Sequence, residues 1–436
     1  MRALLSFLAL GTLVAQQAPP VLTRAQREAD LRQLVRETQG KWAYAEDRRE
    51  NGGLDLTALA DTLIARLDGV ADDGAFVGLV REFVAALQDG HASVQWTGKE
   101  NHPFRRWPFT VLDTEQGLVV DSLLPAWNGT PVALLRGDLL LEIDGAPIAQ
   151  HLAAAERRVN ASTAGARRRQ ALWYVVYGDS DPRRYKVRRA DGTEAVVGAH
   201  AAARHPAAEL PATAVEARKL ADGVAYVRIP TFALGDQQAW ANAKPAERPE
   251  LLAKDIAAIR TALAGTAGCR ALVLDLRGNP GGTDLLGMEV AACLLPPGSV
   301  YYGLASRGVL WGWNSPVISK VKVEGEPPRF AGQLVVLIDD ATFSASDNLC
   351  RCLDDLHPDV TFIGRATGGG TGLGRPCVTL KHSGVVVGFC TMRVFGPKGE
   401  LIEGRGTKPD VPVARTRDAV LSGRDEDLAA ALKAIR

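Results

Sequence analysis

The chain has 436 residues, with 51 Lys and Arg against 50 Asp and Glu, 46% hydrophobic residues, 44 Gly and 24 Pro. That length suits roughly two to four domains, and an ordinary apolar fraction with 23% charged residues excludes a disordered or solvating chain. A net charge of +1 argues against nucleic acid as the main partner, and the short run Arg167-Arg168-Arg169 reads as a solvated helix face rather than a phosphate-binding patch.

Arg2 is followed by an almost continuous apolar stretch from Ala3 to Val14, then by the small residues Ala15 and Ala18 before Pro19-Pro20. This order predicts a secretory signal peptide over 1–18 and an exported protein, periplasmic or secreted. A buried N-terminal helix is the alternative. The apolar run falls short of the about 20 residues a membrane span needs, and no later stretch is longer, so no membrane span is expected.

Residues 19–100 predict a helical domain. Leu56, Leu59, Leu63 and Leu67 repeat at helical spacing, as do Phe76, Leu79, Val80, Phe83, Val84 and Leu87. The second of these helices runs into Gln88-Asp89-Gly90-His91, where Gly90 is the expected stop.

Over 101–205 the pattern turns to short β-branched runs, Phe109–Leu112 and Leu118–Val120, and to Tyr185–Arg189 running into the Asp191-Gly192 turn of a hairpin. The stretch Gly137-Asp138-Leu139-Leu140-Leu141-Glu142-Ile143-Asp144-Gly145 with that closing strand resembles a PDZ domain. Such domains hold extended peptides by adding a strand to a sheet edge. Residues 151–180 look helical, and 207–218 reads as a linker.

From 206 to 436 strands and helices alternate, an α/β domain. Ala271–Leu276 and Leu334–Ile338 are continuous apolar runs that suit strands covered on both faces. All six cysteines, from Cys269 to Cys390, lie in this half. In an exported chain they are either buried small hydrophobes or one or two structural bridges. No histidine stands at zinc-ligand spacing to them, so no metal is expected. Tyr301-Tyr302 and Trp311-Gly312-Trp313 either line a peptide groove or pack in the core.

Two strand ends carry candidate chemistry. After Leu334–Ile338, Ser344 precedes a helix that starts near Ser346, where backbone N–H groups and the helix dipole favour developing negative charge. That placement suits a nucleophile and equally an N-cap serine. After Ala271–Leu276, Gly281-Gly282 lets N–H groups approach a ligand, forming either an oxyanion hole or a plain tight turn. His91, one of seven histidines, is the candidate base.

The ordered set Leu87-Gln88-Asp89-Gly90-His91, the PDZ-like stretch, Leu274 to Gly282, Phe343-Ser344-Ala345-Ser346-Asp347 and Glu403-Gly404-Arg405-Gly406-Thr407-Lys408-Pro409-Asp410 resembles the tail-specific, C-terminal-processing serine peptidases. The resemblance implies a ClpP/crotonase-like catalytic domain beside a helical N-terminal domain and a PDZ-like β module. It implies peptide or protein substrates and no cofactor. It makes Ser344 the nucleophile, with the backbone N–H groups of Ala345, Gly281 and Gly282 as oxyanion hole. The family's usual lysine is missing, because Gly364-Arg365-Ala366-Thr367-Gly368-Gly369-Gly370-Thr371 stands in its place. In that respect the chain is similar to the tricorn-core branch, which makes His91 the base and Glu403 its support. Gly90 replaces the serine that joins His to Glu in that branch, which leaves Ser93, a water, or no link at all. Two other readings share the scaffold: a non-catalytic ligand- or peptide-binding protein, like the retinoid-binding repeats of the eye's interphotoreceptor protein, and a crotonase-like acyl-CoA enzyme.

Overall fold

The computed structural model of the chain describes residues 21–96, 105–124, 133–178, 182–200, 214–306 (save 234, 236 and 245), 319–325 and 329–436. The expected signal peptide and the Trp311–Trp313 stretch lie outside the described residues. Among the described residues no helix is long and apolar enough to cross a membrane.

Three helices lead the chain, Arg24–Lys41, Leu56–Ile64 and Asp73–Ala86, with a shorter one at Ala45–Gly52. Each of the three opens on a side-chain cap. Thr23 and Gln26 form a capping box, Asp55 accepts from the N–H groups of Thr57 and Ala58, and Asp72 accepts from that of Ala75. Their apolar faces bury Leu31, Leu34, Trp42, Leu63, Phe76 and Phe83. This core is not closed by helices alone. Val378, Val387 and Phe389, from a hairpin three hundred residues downstream, belong to the same cluster. Strand Ser93–Gln95, just after the last helix, pairs antiparallel with Val386–Cys390 of that hairpin. The helical region is therefore stitched into the C-terminal half, and His91 lies at the seam.

The C-terminal half is built on a six-stranded sheet in the order Glu216–Lys219, Val224–Arg228, Ala271–Asp275, Gln333–Ile338, Val360–Gly364 and Val411–Pro412. The first pair is antiparallel and the others are parallel. Alternate side chains divide cleanly between the faces. Val227, Leu272, Leu274, Leu334 and Val336 pack under the helices Arg248–Ala264, Asp284–Leu294 and Ala345–Leu356, while Tyr226, Val273, Val335 and Leu337 pack against Glu426–Ala434. Burial on both faces is what the continuous apolar runs required. The expected linker 207–218 is corrected at its end, where Glu216–Lys219 forms the edge strand. All six cysteines are free, with Cys293, Cys350, Cys352 and Cys390 buried.

Between these regions lies a module whose sheet runs through five antiparallel strands, ordered Phe109–Thr114, Gly117–Leu123, Leu139–Ile143, Arg183–Arg188 and Glu194–Ala199, with the two-residue Ala146–Pro147 paired beside Leu139–Ile143 off this path. The expected hairpin closes at Asp191, whose carboxylate accepts from the Thr193 N–H. Helices Ile148–Glu156, Ala164–Ala171 and Trp173–Val176 occupy the 151–180 stretch, and the module has its own core around Phe109, Val120, Leu140 and Tyr185.

Candidate active site

Strand Gln333–Ile338 leaves the sheet into a tight turn that Asp339 organises. Its carboxylate accepts from the N–H groups of Ala341 and Thr342, and from that of Gly278 on the neighbouring strand end. Phe343 N–H donates to Asn279 O at 3.0 Å and Ser344 N–H to Gly370 O at 3.1 Å, so both flanking loops hold the turn. Ser344 sits at φ 59°, ψ −126°, a left-handed conformation that costs a non-glycine residue about 1–3 kcal/mol. It occupies the N-cap position of Ala345–Leu356, yet its hydroxyl makes no capping bond. Instead Oγ lies 3.0 Å from Nε2 of His91. Those two observations separate the nucleophile geometry from the N-cap one.

His91 reaches this point through a turn built on Asp89. The fully buried Asp89 carboxylate accepts from the Trp42 indole N–H at 3.0 Å, from Cys390 N–H at 2.9 Å and from His91 N–H at 2.9 Å. The His91 ring stacks on Phe343, with centroids 4.8 Å apart and planes at 29°. Gly90 is not the helix stop, because Gln88 takes the left-handed conformation, at φ 52°. Gly90 is glycine for closeness. A Cβ there would lie 2.7 Å from Ser162 Oγ and 2.8 Å from the Phe343 ring. Burial pushes the His91 imidazole below its ordinary value, and the Asp89 carboxylate partly opposes that shift. His91 Nδ1 is buried and has no hydrogen-bond partner among the described residues.

Glu403 is buried behind this turn. One oxygen accepts from Ser162 Oγ at 2.5 Å; the other accepts from Thr371 N–H at 2.7 Å and Thr371 Oγ1 at 3.1 Å. Burial, and then the nearby Asp89 carboxylate, raise its pKa to about 8 against the pull of those bonds. Ser162 also accepts the Gly90 N–H at 2.8 Å. Of the three alternatives for Glu403, the one through Ser93 is not formed: Ser93 pairs with Gly388 in the strand ladder, its Oγ lies against that glycine, and among the described residues no hydrogen bond joins it to Glu403. Ser162 stands in an Ala-Ser-Thr run 241 residues from Glu403, with no motif by which the sequence could single it out.

Of the glycine pair, Gly281 packs directly against the nucleophile. Gly281 has φ 88°, and a Cβ there would stand 2.6 Å from Ser344 Cβ and 2.8 Å from Ala345 N. Its own N–H, however, is taken by Asn279 Oδ1 at 2.9 Å, which removes Gly281 as an oxyanion donor. Among the described residues no acceptor faces the N–H of Gly282 or of Ala345. Ala345 N–H directly follows the nucleophile and heads a 12-residue helix, and Gly282 comes one residue after the glycine that packs on Ser344.

Among the described residues no Lys or Arg side chain hydrogen-bonds Ser344 in the missing lysine's place. Arg365 turns away to Asp427, with both contacts at 2.7 Å. Asp89, His91 and Cys390 bring one potential metal ligand atom each to within 4.8 Å of one another. Both Asp89 oxygens already accept hydrogen bonds, and burial pushes the Cys390 thiol well above its ordinary range, so this donor set fits a structural knot better than an ion.

Residues 223–413 match the model of peptidase family S41. A comparison with curated protein sequences finds no match. Among solved structures the chain is similar to mature CPAF complexed with lactacystin (TM-score 0.75, 17% identity, covering 94% of this chain and 98% of that one). It is also similar to mature CPAF alone (TM-score 0.72, 17% identity, 91% and 94% covered). A putative peptidase from Parabacteroides merdae gives a TM-score of 0.50 at 17% identity, with 93% and 96% covered. Residues 223–413 thus match peptidase family S41 and support a serine peptidase, in a chain of mixed α/β fold.

Proposed function

We propose that the chain is an exported endopeptidase that cleaves unfolded or tail-presented polypeptides through an acyl-enzyme on Ser344, with His91 as general base. The observation that carries this reading is the 3.0 Å contact between Ser344 Oγ and His91 Nε2 on a strained strand-to-helix turn. Neutral His91 takes the hydroxyl proton on Nε2 as Oγ attacks the peptide carbonyl. The carbonyl oxygen, now anionic, is stabilised by the N–H groups of Ala345 and Gly282. The imidazolium then gives its proton to the departing amine, and a water activated by the same nitrogen releases the acid and frees Ser344. Every step uses side chains and backbone of this chain, without a cofactor.

The five-stranded module supports docking of an extended peptide by strand addition, since Phe109–Thr114 and Glu194–Ala199 are the two ends of its strand order. Export rests on the charged start, short apolar run and small-residue site over 1–18.

Incubating the purified protein with unfolded casein and a peptide library tests the reading. Cleavage by the wild type, lost in Ser344→Ala and in His91→Ala with folding intact, is the expected result. Full activity in His91→Ala would remove His91 as base. A wild type that cleaves no peptide would favour the binding-protein reading of the scaffold.

A further inference from the structure

We propose that Ser162, supplied by the five-stranded module, is the positioning residue through which Glu403 holds the His91 turn against Ser344; this rests on the peptidase reading above. A catalytic imidazole is ordinarily aimed by a partner on the ring nitrogen that does not touch the nucleophile. Here that nitrogen, Nδ1, is buried and has no partner among the described residues. The aim of the ring therefore comes from the backbone that carries it and from the stack on Phe343. That backbone is fixed one residue upstream. Gly90 N–H donates to Ser162 Oγ at 2.8 Å, and the Ser162 hydroxyl donates to Glu403 at 2.5 Å. The carboxylate thus acts on the turn, one bond further back than on the ring.

The space at Gly90 fits this arrangement. A side chain at position 90 would run into Ser162 Oγ at 2.7 Å, so the bare glycine and the incoming hydroxyl are one device. The stretch around Ser162 is anchored at each successive polar residue. The Asn160 side-chain amide donates to Ala92 O, directly after His91. Thr163 Oγ1 faces Thr367 O at 3.5 Å and caps the helix Ala164–Ala171 by accepting from Ala166 N–H. That helix is tied to the module's own sheet through Arg168, whose guanidinium donates to Asp113 at 2.7 and 3.2 Å. The hydroxyl is therefore placed by the folded module and cannot follow the His91 turn if the turn moves. The module is a structural part of the catalytic centre as well as a peptide-docking element.

Steady-state kinetics on one peptide substrate test this. Ser162→Ala is expected to lower kcat about 10- to 100-fold, the cost of a misplaced reacting group, with KM changed less than about twofold. Glu403→Ala is expected to lower kcat by a similar factor in the wild type and by less than about twofold in the Ser162→Ala background, because the two residues act in series. If Ser162→Ala does not fold, Ser162→Cys, of similar volume and a weak donor, carries the same expectation. Unchanged kcat in the Ser162 variant, or losses that multiply in the double variant, would overturn the proposal while leaving the peptidase reading intact. A wild type without cleavage, or an active Ser344→Ala, would overturn both.

Discussion

At the scale of single residues, the site is defined by two backbone exceptions. Ser344 holds φ 59° although it is not glycine, and Gly281 holds φ 88° beside it with no room for a side chain. A methyl group at Gly281 would meet Phe343 O at 2.6 Å and Ser344 Cβ at 2.6 Å. Gly281→Ala is therefore expected to cost about 1–2 kcal/mol of stability and to lower kcat at least about 100-fold, read by denaturant unfolding and by peptide cleavage. Acid sensitivity follows from His91. Burial holds its pKa below the ordinary histidine value, and only the neutral ring accepts the Ser344 proton. As pH falls, kcat/KM is expected to survive past about 6.5 and to drop only through the lower, depressed pKa; a profile of kcat/KM against pH checks this. Because both Asp89 oxygens are engaged by N–H donors, EDTA is expected to leave cleavage unchanged. Ser344, His91 and Glu403 were legible because each stands in a local motif. Ser162 was not, because its role depends on a contact across 72 and 241 residues of chain. Gly90 was read as a helix stop because sequence displays glycine without showing whether torsion or space requires it.

At the scale of elements, the decisive pairing is between the N-terminal helices and the hairpin that ends at Cys390. Phe83, fully buried in Asp73–Ala86, shares a core with Val387 and Phe389, and the strand ladder Ser93↔Gly388 continues it two residues beyond His91. Phe83→Ala is expected to cost about 3–5 kcal/mol, measured by denaturant titration. Cleavage should fall at denaturant concentrations where the central sheet is still folded, since the seam that carries His91 loosens first. The helices and buried strands were readable from period alone: Leu56 to Leu67 and Leu334 to Ile338 carry their pattern in a dozen residues or fewer. The sharing of one core by residues 31 and 389 has no local signature. Neither does the edge strand Glu216–Lys219, whose four exposed residues look like linker until Val224–Arg228 is there to pair with it.

At the scale of the whole molecule, four stretches distant in sequence meet at one point: His91 from the helices, Ser162 from the inserted module, and Ser344 and Glu403 from the sheet domain. Arg415 shows how the last strand, the module and the nucleophile turn are held together. Its guanidinium donates to Asp339 at 3.2 Å and Asp340 at 3.0 Å, and its carbonyl accepts the Glu115 N–H of the module at 3.0 Å. Arg415→Ala leaves Asp339 short of its counter-charge while Asp339 still holds the N–H groups of Gly278 and Thr342. The expected cost is about 2 kcal/mol, with a lowered kcat at unchanged KM, read from unfolding curves and peptide kinetics. The most direct measurement is mass spectrometry of the intact protein treated with a serine-reactive fluorophosphonate, followed by peptide mapping. One adduct on Ser344 is expected, forming at least about 100-fold more slowly in His91→Ala. An adduct elsewhere, or an equal rate in His91→Ala, would contradict a Ser344 nucleophile activated by His91.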